Sequence, residues 1–136
     1  MSESGQSNVE TIRGLYESFA RGDVPAVLGA FSPDVEWTEA EGFPYGGTYR
    51  GPDAVLREVF VKLGTEWDGY RVAPEEFIGE GNWVVVLGEY SGTYKQTGKS
   101  FRAPFSHVWW FQGGKIARFR QYTDTLLVQR AVAGAP

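Results

Sequence analysis

The stretch from Phe105 to Asp124, FSHVWWFQGGKIARFRQYTD, constrains the fold more than any other part of the chain. It reads as two strands joined at Gln112-Gly113-Gly114-Lys115, because a Gly-Gly pair supplies the positive φ angles of a two-residue hairpin turn. The first arm alternates: Phe105, His107, Trp109 and Phe111 share one face, and Ser106, Val108 and Trp110 the other. In the second arm Ile116, Arg118, Arg120, Tyr122 and Asp124 share one parity, and Ala117, Phe119, Gln121 and Thr123 the other. Bulky apolar groups on both faces predict a hairpin in the middle of a sheet, each face at least partly covered. His107 is the only histidine of the chain and lies in an aromatic row, while Asp124 closes the second arm. These two groups are the first to ask about chemistry.

The rest of the chain supplies the partners of this hairpin. Residues 1–6 read as a tail, residues 7–131 as one domain and residues 132–136 as a second tail. Ser7 and Glu10 have the spacing of a capping box, and Val9, Ile12, Leu15, Tyr16 and Phe19 recur at helical intervals until Gly22. Asp23 suits the N-cap of a second helix with Pro25 in its first turn. Ser32-Pro33-Asp34 reads as a turn and Val35–Thr38 as a short strand. The segment 39–51 holds four glycines and the aromatics Phe43, Tyr45 and Tyr49, which suits a covering loop, as a lid or as an interface. A third helix runs from Pro52 to Gly64. From Trp67 the period becomes two, with strands over 70–78, 83–94, 101–111 and 115–123, a break at Pro74, and a bulge or local edge at Pro104. Leu126-Leu127-Val128 is a short helical run, and Asp124 stands where its N-cap would be. Two helices, a strand, a helix and four successive strands predict an α+β domain: a curved, mostly antiparallel sheet with three N-terminal helices on its concave face, leaving a cone with an open mouth.

Composition excludes several functions. The chain has 136 residues, enough for one domain with a sizeable core, and its net charge is −4 with the basic residues scattered. Neither nucleic acid nor a membrane surface is an expected partner. There is no cysteine, which removes disulfides and thiol chemistry, and a single histidine argues against a His-rich zinc site, so no cofactor is expected. The polar start, MSESGQS, has no apolar run behind it, and a cytoplasmic location is the default. The aromatic share of 15% suits both a core and an apolar pocket. The aromatic outer face of the sheet, with Trp110 and Phe119 assigned to it, predicts a twofold homodimer.

Several motifs together resemble the SnoaL-like branch of the nuclear transport factor 2-like superfamily, which includes polyketide cyclases, ketosteroid isomerases and limonene epoxide hydrolases. They are Tyr16 followed by Ala20-Arg21-Gly22-Asp23, the run Phe31–Trp37, Tyr49-Arg50-Gly51-Pro52, His107–Phe111, Gly114-Lys115-Ile116 and Tyr122-Thr123-Asp124. The resemblance implies a pocket protein for an apolar, carbonyl-bearing small molecule. It places Asp124 at the general acid/base of the cyclases, His107 at a pocket position of the preceding strand, and Tyr16 at the oxyanion donor of the isomerases. Trp37 stands at the position of the isomerase's base. The expected reaction class is proton abstraction beside a carbonyl, with Asp124, His107 and Tyr16 catalytic and Trp37, Tyr49, Phe60, Glu89, Trp109, Arg120 and Tyr122 lining the pocket. A non-catalytic ligand-binding or dimerisation module is the alternative. An epoxide-hydrolase-like enzyme is a further one, with Glu89, Arg118 and Arg120 as its charged cluster.

Overall fold

The computed structural model describes residues 3–133; the outermost parts of both expected tails, residues 1–2 and 134–136, lie outside the described residues. Six strands form one sheet in the order β2-β1-β6-β5-β4-β3. They are β1 (Phe31–Glu39), β2 (Gly47–Arg50), β3 (Trp67–Glu80), β4 (Trp83–Tyr94), β5 (Ser100–Gln112) and β6 (Lys115–Thr123). All neighbours are antiparallel except β1 and β6, which are parallel. The sheet is curved and unclosed, and the expected α+β architecture is the one observed. The hairpin of β5 and β6 lies mid-sheet, and its turn has positive φ at both Gly113 (60°) and Gly114 (77°), the geometry of a type I′ turn.

Helices α1 (Glu3–Ala20), α2 (Val24–Gly29), α3 (Pro52–Val55) and α4 (Val61–Glu66) precede the long strands, with a π-helical turn, Leu56–Phe60, between the last two. Helix α1 buries Val9, Ile12, Leu15 and Tyr16, and packs on β3 and β4. It begins at Glu3, so Ser7 is interior and does not cap it; its carbonyl accepts from Thr11 Oγ1 instead. Gly22, at φ 77°, ends α1, and Asp23 caps α2 by accepting from the Ala26 amide at 3.2 Å. Gly64 does not end the third helical stretch, which runs on to Glu66. Helix α5 (Thr125–Val132) follows the sheet and packs on β5.

Three departures from simple alternation shape the concave face. Strand β1 includes Ser32-Pro33-Asp34, expected as a turn; these residues form an irregular stretch between the Phe31↔Ile116 and Glu36↔Arg118 pairs. The loop after β1 contains a strand, β2, that pairs with β1. In β6, Phe111 faces Ile116 but Trp110 faces Arg118, so Ala117 is an extra residue. Such a bulge reverses the facing of everything beyond it. Ile116, Phe119 and Gln121 are therefore all buried, while Arg118, Arg120 and Tyr122 are exposed. Phe119 belongs to the inside, contrary to its expected outer placement, and stacks on Trp37 at 3.7 Å. Pro104 sits where β5 has run past the end of its β6 ladder, the local edge its missing N–H requires. At Pro74 the register with β4 shifts before Glu76.

Candidate functional site

The concave face and the helices enclose a cavity whose walls come from every layer of the fold. Leu15, Tyr16 and Phe19 come from α1, Val59, Phe60 and Leu63 from the third helical stretch, and Trp37 and Glu39 from β1. Tyr70 and Val72 of β3, Tyr90 of β4, His107 and Trp109 of β5, and Phe119 and Gln121 of β6 complete the wall, with Val27 of α2. The empty space is about 490 Å³ counted out through its opening. The aromatic rings of the wall leave a narrow hollow rather than a solid plug. A second groove with a more polar lining carries Arg13, Glu17, Arg71 and Phe77 and shares Tyr16, Phe19, Tyr70 and Val72 with the cavity, so the two spaces meet between α1 and β3.

One pole of the cavity is a hydrogen-bonded chain. Tyr16 Oη lies 2.5 Å from His107 Nδ1, and His107 Nε2 bonds the hydroxyl of Tyr90. The indole N–H of Trp109 donates to Tyr16 Oη at 3.1 Å, and Gln121 Nε2 donates to Tyr90 Oη at 3.0 Å. The Gln121 amide is oriented by its other end, since the Ala40 N–H can only donate and does so to Gln121 Oε1 at 3.0 Å. Phe105 stacks on the His107 ring at 4.0 Å. It can lie flat there because Gly88 faces it across the ladder; a Cβ at that glycine would stand 2.5 Å from the Phe105 ring and 2.3 Å from the Ala73 carbonyl oxygen. Burial of His107 (4% exposed) disfavours its charged form and holds its pKa down at about 3, so the imidazole is neutral. Burial likewise raises Tyr16 and Tyr90 well above the usual phenol range, so both keep their protons.

Two further polar groups line the cavity, the Tyr70 phenol, which burial holds well above its usual range, and Glu39, the last residue of β1. Glu39 is 4% exposed, and its Oε2 accepts from the Trp37 indole N–H at 3.2 Å. Burial raises its pKa from 4.5 to about 8, an effect the Trp37 hydrogen bond only partly offsets. Among the described residues no cluster of three or more His, Cys, Asp or Glu side chains is arranged to hold a metal.

The structure brings together His107, Tyr16, Trp37, Phe60 and Trp109 as anticipated and separates the rest. Asp124 is exposed and accepts from the Leu127 amide at 3.4 Å as the N-cap of α5, so it does not share the hollow with His107. A strand-end carboxylate ahead of a helix meets its nearest unpaired N–H groups there, and the cap satisfies it locally. Glu89 points out of the convex face and pairs with Arg102 at 3.2 Å; Arg118 and Arg120 are exposed on the same side. Among the described residues no Asp-Arg-Asp cluster of the epoxide-hydrolase kind therefore faces the cavity. Tyr122 is 50% exposed, and Tyr49 Oη donates to the Tyr45 carbonyl instead of reaching the cavity. In the aromatic loop, Phe43 and Tyr45 are buried, and Tyr45 Oη donates to Glu66 at 2.5 Å.

Sequence reasoning passed over Glu39, Tyr90 and Gln121. The signal for Glu39 was present: Val35, Trp37 and Glu39 alternate, and extending the strand by one residue brings the carboxylate inward. Tyr90 likewise continues the inward row Val84, Val86, Gly88. Gln121 was masked by the Ala117 bulge.

Several solved structures resemble this chain along nearly its whole length. An NTF2-like protein from Burkholderia thailandensis is 44% identical, with 93% of this chain and 97% of that one covered and a TM-score of 0.90. An NTF2-like protein of unknown function from Burkholderia pseudomallei is 37% identical, covering 98% of this chain and all of that one at a TM-score of 0.86. TerC, whose crystal structure was obtained with polyporic acid, is 33% identical over 92% of this chain and 97% of its own, at a TM-score of 0.82. No curated protein matches the chain. The model of the SnoaL-like domain matches residues 12–119, which reach from the buried face of α1 to Phe119 in the cavity wall, and the chain belongs to the SnoaL-like domain family of the NTF2-like superfamily.

Proposed function

We propose that the cavity binds an apolar, carbonyl-bearing small molecule and exchanges the proton beside its carbonyl, as an isomerase or cyclase does, with Glu39 as the acid/base group. The observation that carries this reading is a single carboxyl group, buried, aimed into an apolar hollow and poised at about 8. A group with a pKa near the working pH serves as acid below that value and as base above it. Trp37 holds one of its oxygens, leaving the other for the substrate. The pole made by Tyr16, His107 and Tyr90 faces the same space and supplies hydrogen-bond donation to the oxygen on which charge gathers as the proton leaves. This assignment moves the base from Asp124 to Glu39 and keeps Tyr16 and His107 as the groups that hold the oxyanion.

The test is deuterium incorporation beside the carbonyl of 1-indanone in heavy water, followed by proton NMR. The rate rises with pH through about 8 and falls by about 10²–10⁴ in Glu39→Gln, the usual worth of a general base. Exchange that persists within a few-fold of wild type removes Glu39 from the role. A second reading, a ligand-binding module without turnover, is favoured by a cavity wall in which, among the described residues, Glu39 has no second carboxylate beside it. The ligand captured with the 33% identical TerC fits either reading. We also place a homodimer contact on the convex face, where Trp83 (46% exposed), Val85, Val108, Trp110 and Tyr122 leave apolar surface open. Sedimentation of wild type as a monomer at micromolar concentration would refute that contact.

A further inference from the structure

The hydrogen-bonded chain across the cavity contains more protons than it can use, and this sets what the cavity accepts. Both ends are donors pointing inward: the Trp109 indole has no acceptor capacity, and the Gln121 amide is fixed by Ala40 with its NH2 toward Tyr90. Between them stand Tyr16, a neutral imidazole and Tyr90, which together carry three protons but make only two bonds to one another. Two arrangements satisfy those bonds. With the imidazole proton on Nε2, Tyr16 donates to Nδ1, Nε2 donates to Tyr90, and the Tyr90 hydroxyl proton is left over. With the proton on Nδ1, Tyr90 donates to Nε2, Nδ1 donates to Tyr16, and the Tyr16 proton is left over. Both tyrosines line the cavity, so in either case one hydroxyl proton, and never two, is free to leave the chain toward it.

We propose that His107, by its tautomer, selects which of Tyr16 and Tyr90 presents a hydrogen-bond donor to the cavity, and that the site therefore takes ligands whose polar atom is a pure acceptor, a ketone or enolate oxygen. Resting on the functional reading above, this names its substrate class more narrowly. Protonated Glu39 adds a further donor to the same hollow below about pH 8, beside the Tyr70 hydroxyl, which burial keeps protonated. A ligand with two acceptor oxygens thus matches the cavity better than an alcohol or an amine, whose donors meet no free acceptor at the pole. The tautomer exchange also makes Tyr90 as much a carbonyl-binding residue as Tyr16. Between the two arrangements the imidazole proton changes from Nε2 to Nδ1 while each tyrosine keeps one proton and turns it, Tyr16 from Nδ1 toward the cavity and Tyr90 from the cavity onto Nε2, so no charge is left in the core.

The single histidine makes the test direct, because nitrogen-15 NMR of labelled protein shows one imidazole. In Tyr16→Phe the chain keeps only the Tyr90 partner. An unpaired ring nitrogen costs less as a lone pair than as an orphaned N–H, so the proton goes to Nε2. In Tyr90→Phe the same reasoning puts it on Nδ1. The two variants therefore show opposite tautomers; the same tautomer in both, or a charged ring at pH 6, overturns the proposal. Wild-type protein supplies a second arm that needs no substitution. 1-Indanone binds about tenfold more tightly than indane, the worth of one hydrogen bond, and shifts the tautomer ratio while indane does not. Equal affinities, or no binding of either at millimolar concentration, also overturn it. These readouts require no turnover. Opposite tautomers with a Glu39→Gln variant of undiminished exchange would sink only the functional reading, whereas a dependence on Glu39 with one shared tautomer would sink only this inference.

Discussion

The concave and convex faces of this sheet are made by the same strands, one residue after another, yet they obey different rules. On β5 the odd positions Phe101 to Phe111 are buried, while Arg102, Pro104 and Gln112 are exposed and Ser106, Val108 and Trp110 half-buried. Inside, polar groups are held by hydrogen bonds to one another, and among the described residues no fully buried side-chain nitrogen or oxygen lacks a partner. Outside, charged groups pair loosely, as Arg102 does with Glu89, or lie over a ring, as Arg118 does 4.7 Å from the Trp110 centroid. Water satisfies whatever the outer face leaves open, so its geometry is free to vary. The inner face has no such reserve, which is why its ionisable groups shift and why the proposed site is placed there.

The sharpest way to break this contrast is to truncate neighbouring residues that point opposite ways. Trp109→Ala removes a buried ring and the donor to Tyr16, and is expected to cost about 3–5 kcal/mol in urea unfolding. Trp110→Ala is expected to stay within about 1 kcal/mol, its effect appearing in sedimentation instead. Equal losses for the two would show that the convex face is as organised as the concave one.

The next effect is the pH dependence of stability, which the two inner ionisable groups set in opposite directions. Glu39 has its pKa raised from 4.5 to about 8, so the folded state holds its proton more tightly. Its contribution is whole below about 4.5 and is lost as pH rises through about 8. His107 has its pKa lowered from 6.5 to about 3, so the unfolded state takes the proton first. Its contribution is whole above about 6.5 and is lost as pH falls through about 3. The two cancel in slope between about 4.5 and 6.5, giving a plateau with a falling arm on each side. Glu39→Gln flattens the alkaline arm, worth on the order of a few kcal/mol, and lets the acid arm run on up to about pH 6.5, because nothing then offsets His107. Thermal melts of the two proteins across this range measure it, and an unchanged alkaline arm would mean that another group dominates.

The smallest effect belongs to Asp124. As an exposed N-cap it is expected to cost about 1 kcal/mol when changed to Ala and close to nothing as Asn, which caps equally well. Ketone exchange stays unaltered in both variants. A large loss of exchange in Asp124→Asn with intact stability would return the base to the strand end and undo the assignment to Glu39.

Much of this architecture was legible because it rests on local chemistry. The Gly113-Gly114 turn, the alternation along β4 and β5, the Gly22 stop and the Asp23 cap are each decided by residues within a few positions of one another. His107 and Tyr16, which both line the cavity, could be named as candidates because one is the sole imidazole in an aromatic row and the other sits on the apolar stripe of a helix, and both coincide with positions of a resembled family. What went astray depended on register. One extra residue, Ala117, turns Phe119 and Gln121 inward and Arg118, Arg120 and Tyr122 outward, and nothing in the local pattern marks it. One further residue of β1 carries Glu39 into the cavity.

By itself the sequence determined the periods, the turns and the supply of aromatic rings, since these follow from the conformational limits and packing habits of short segments. The tertiary structure alone decided which carboxylate loses its water. Asp124 and Glu39 are both acids at strand ends; one meets the free amides of a helix and stays solvated, and the other is folded beneath Trp37 among apolar side chains. Desolvation is a property of everything that surrounds a group in space, and the atoms around Glu39 come from segments far apart along the chain.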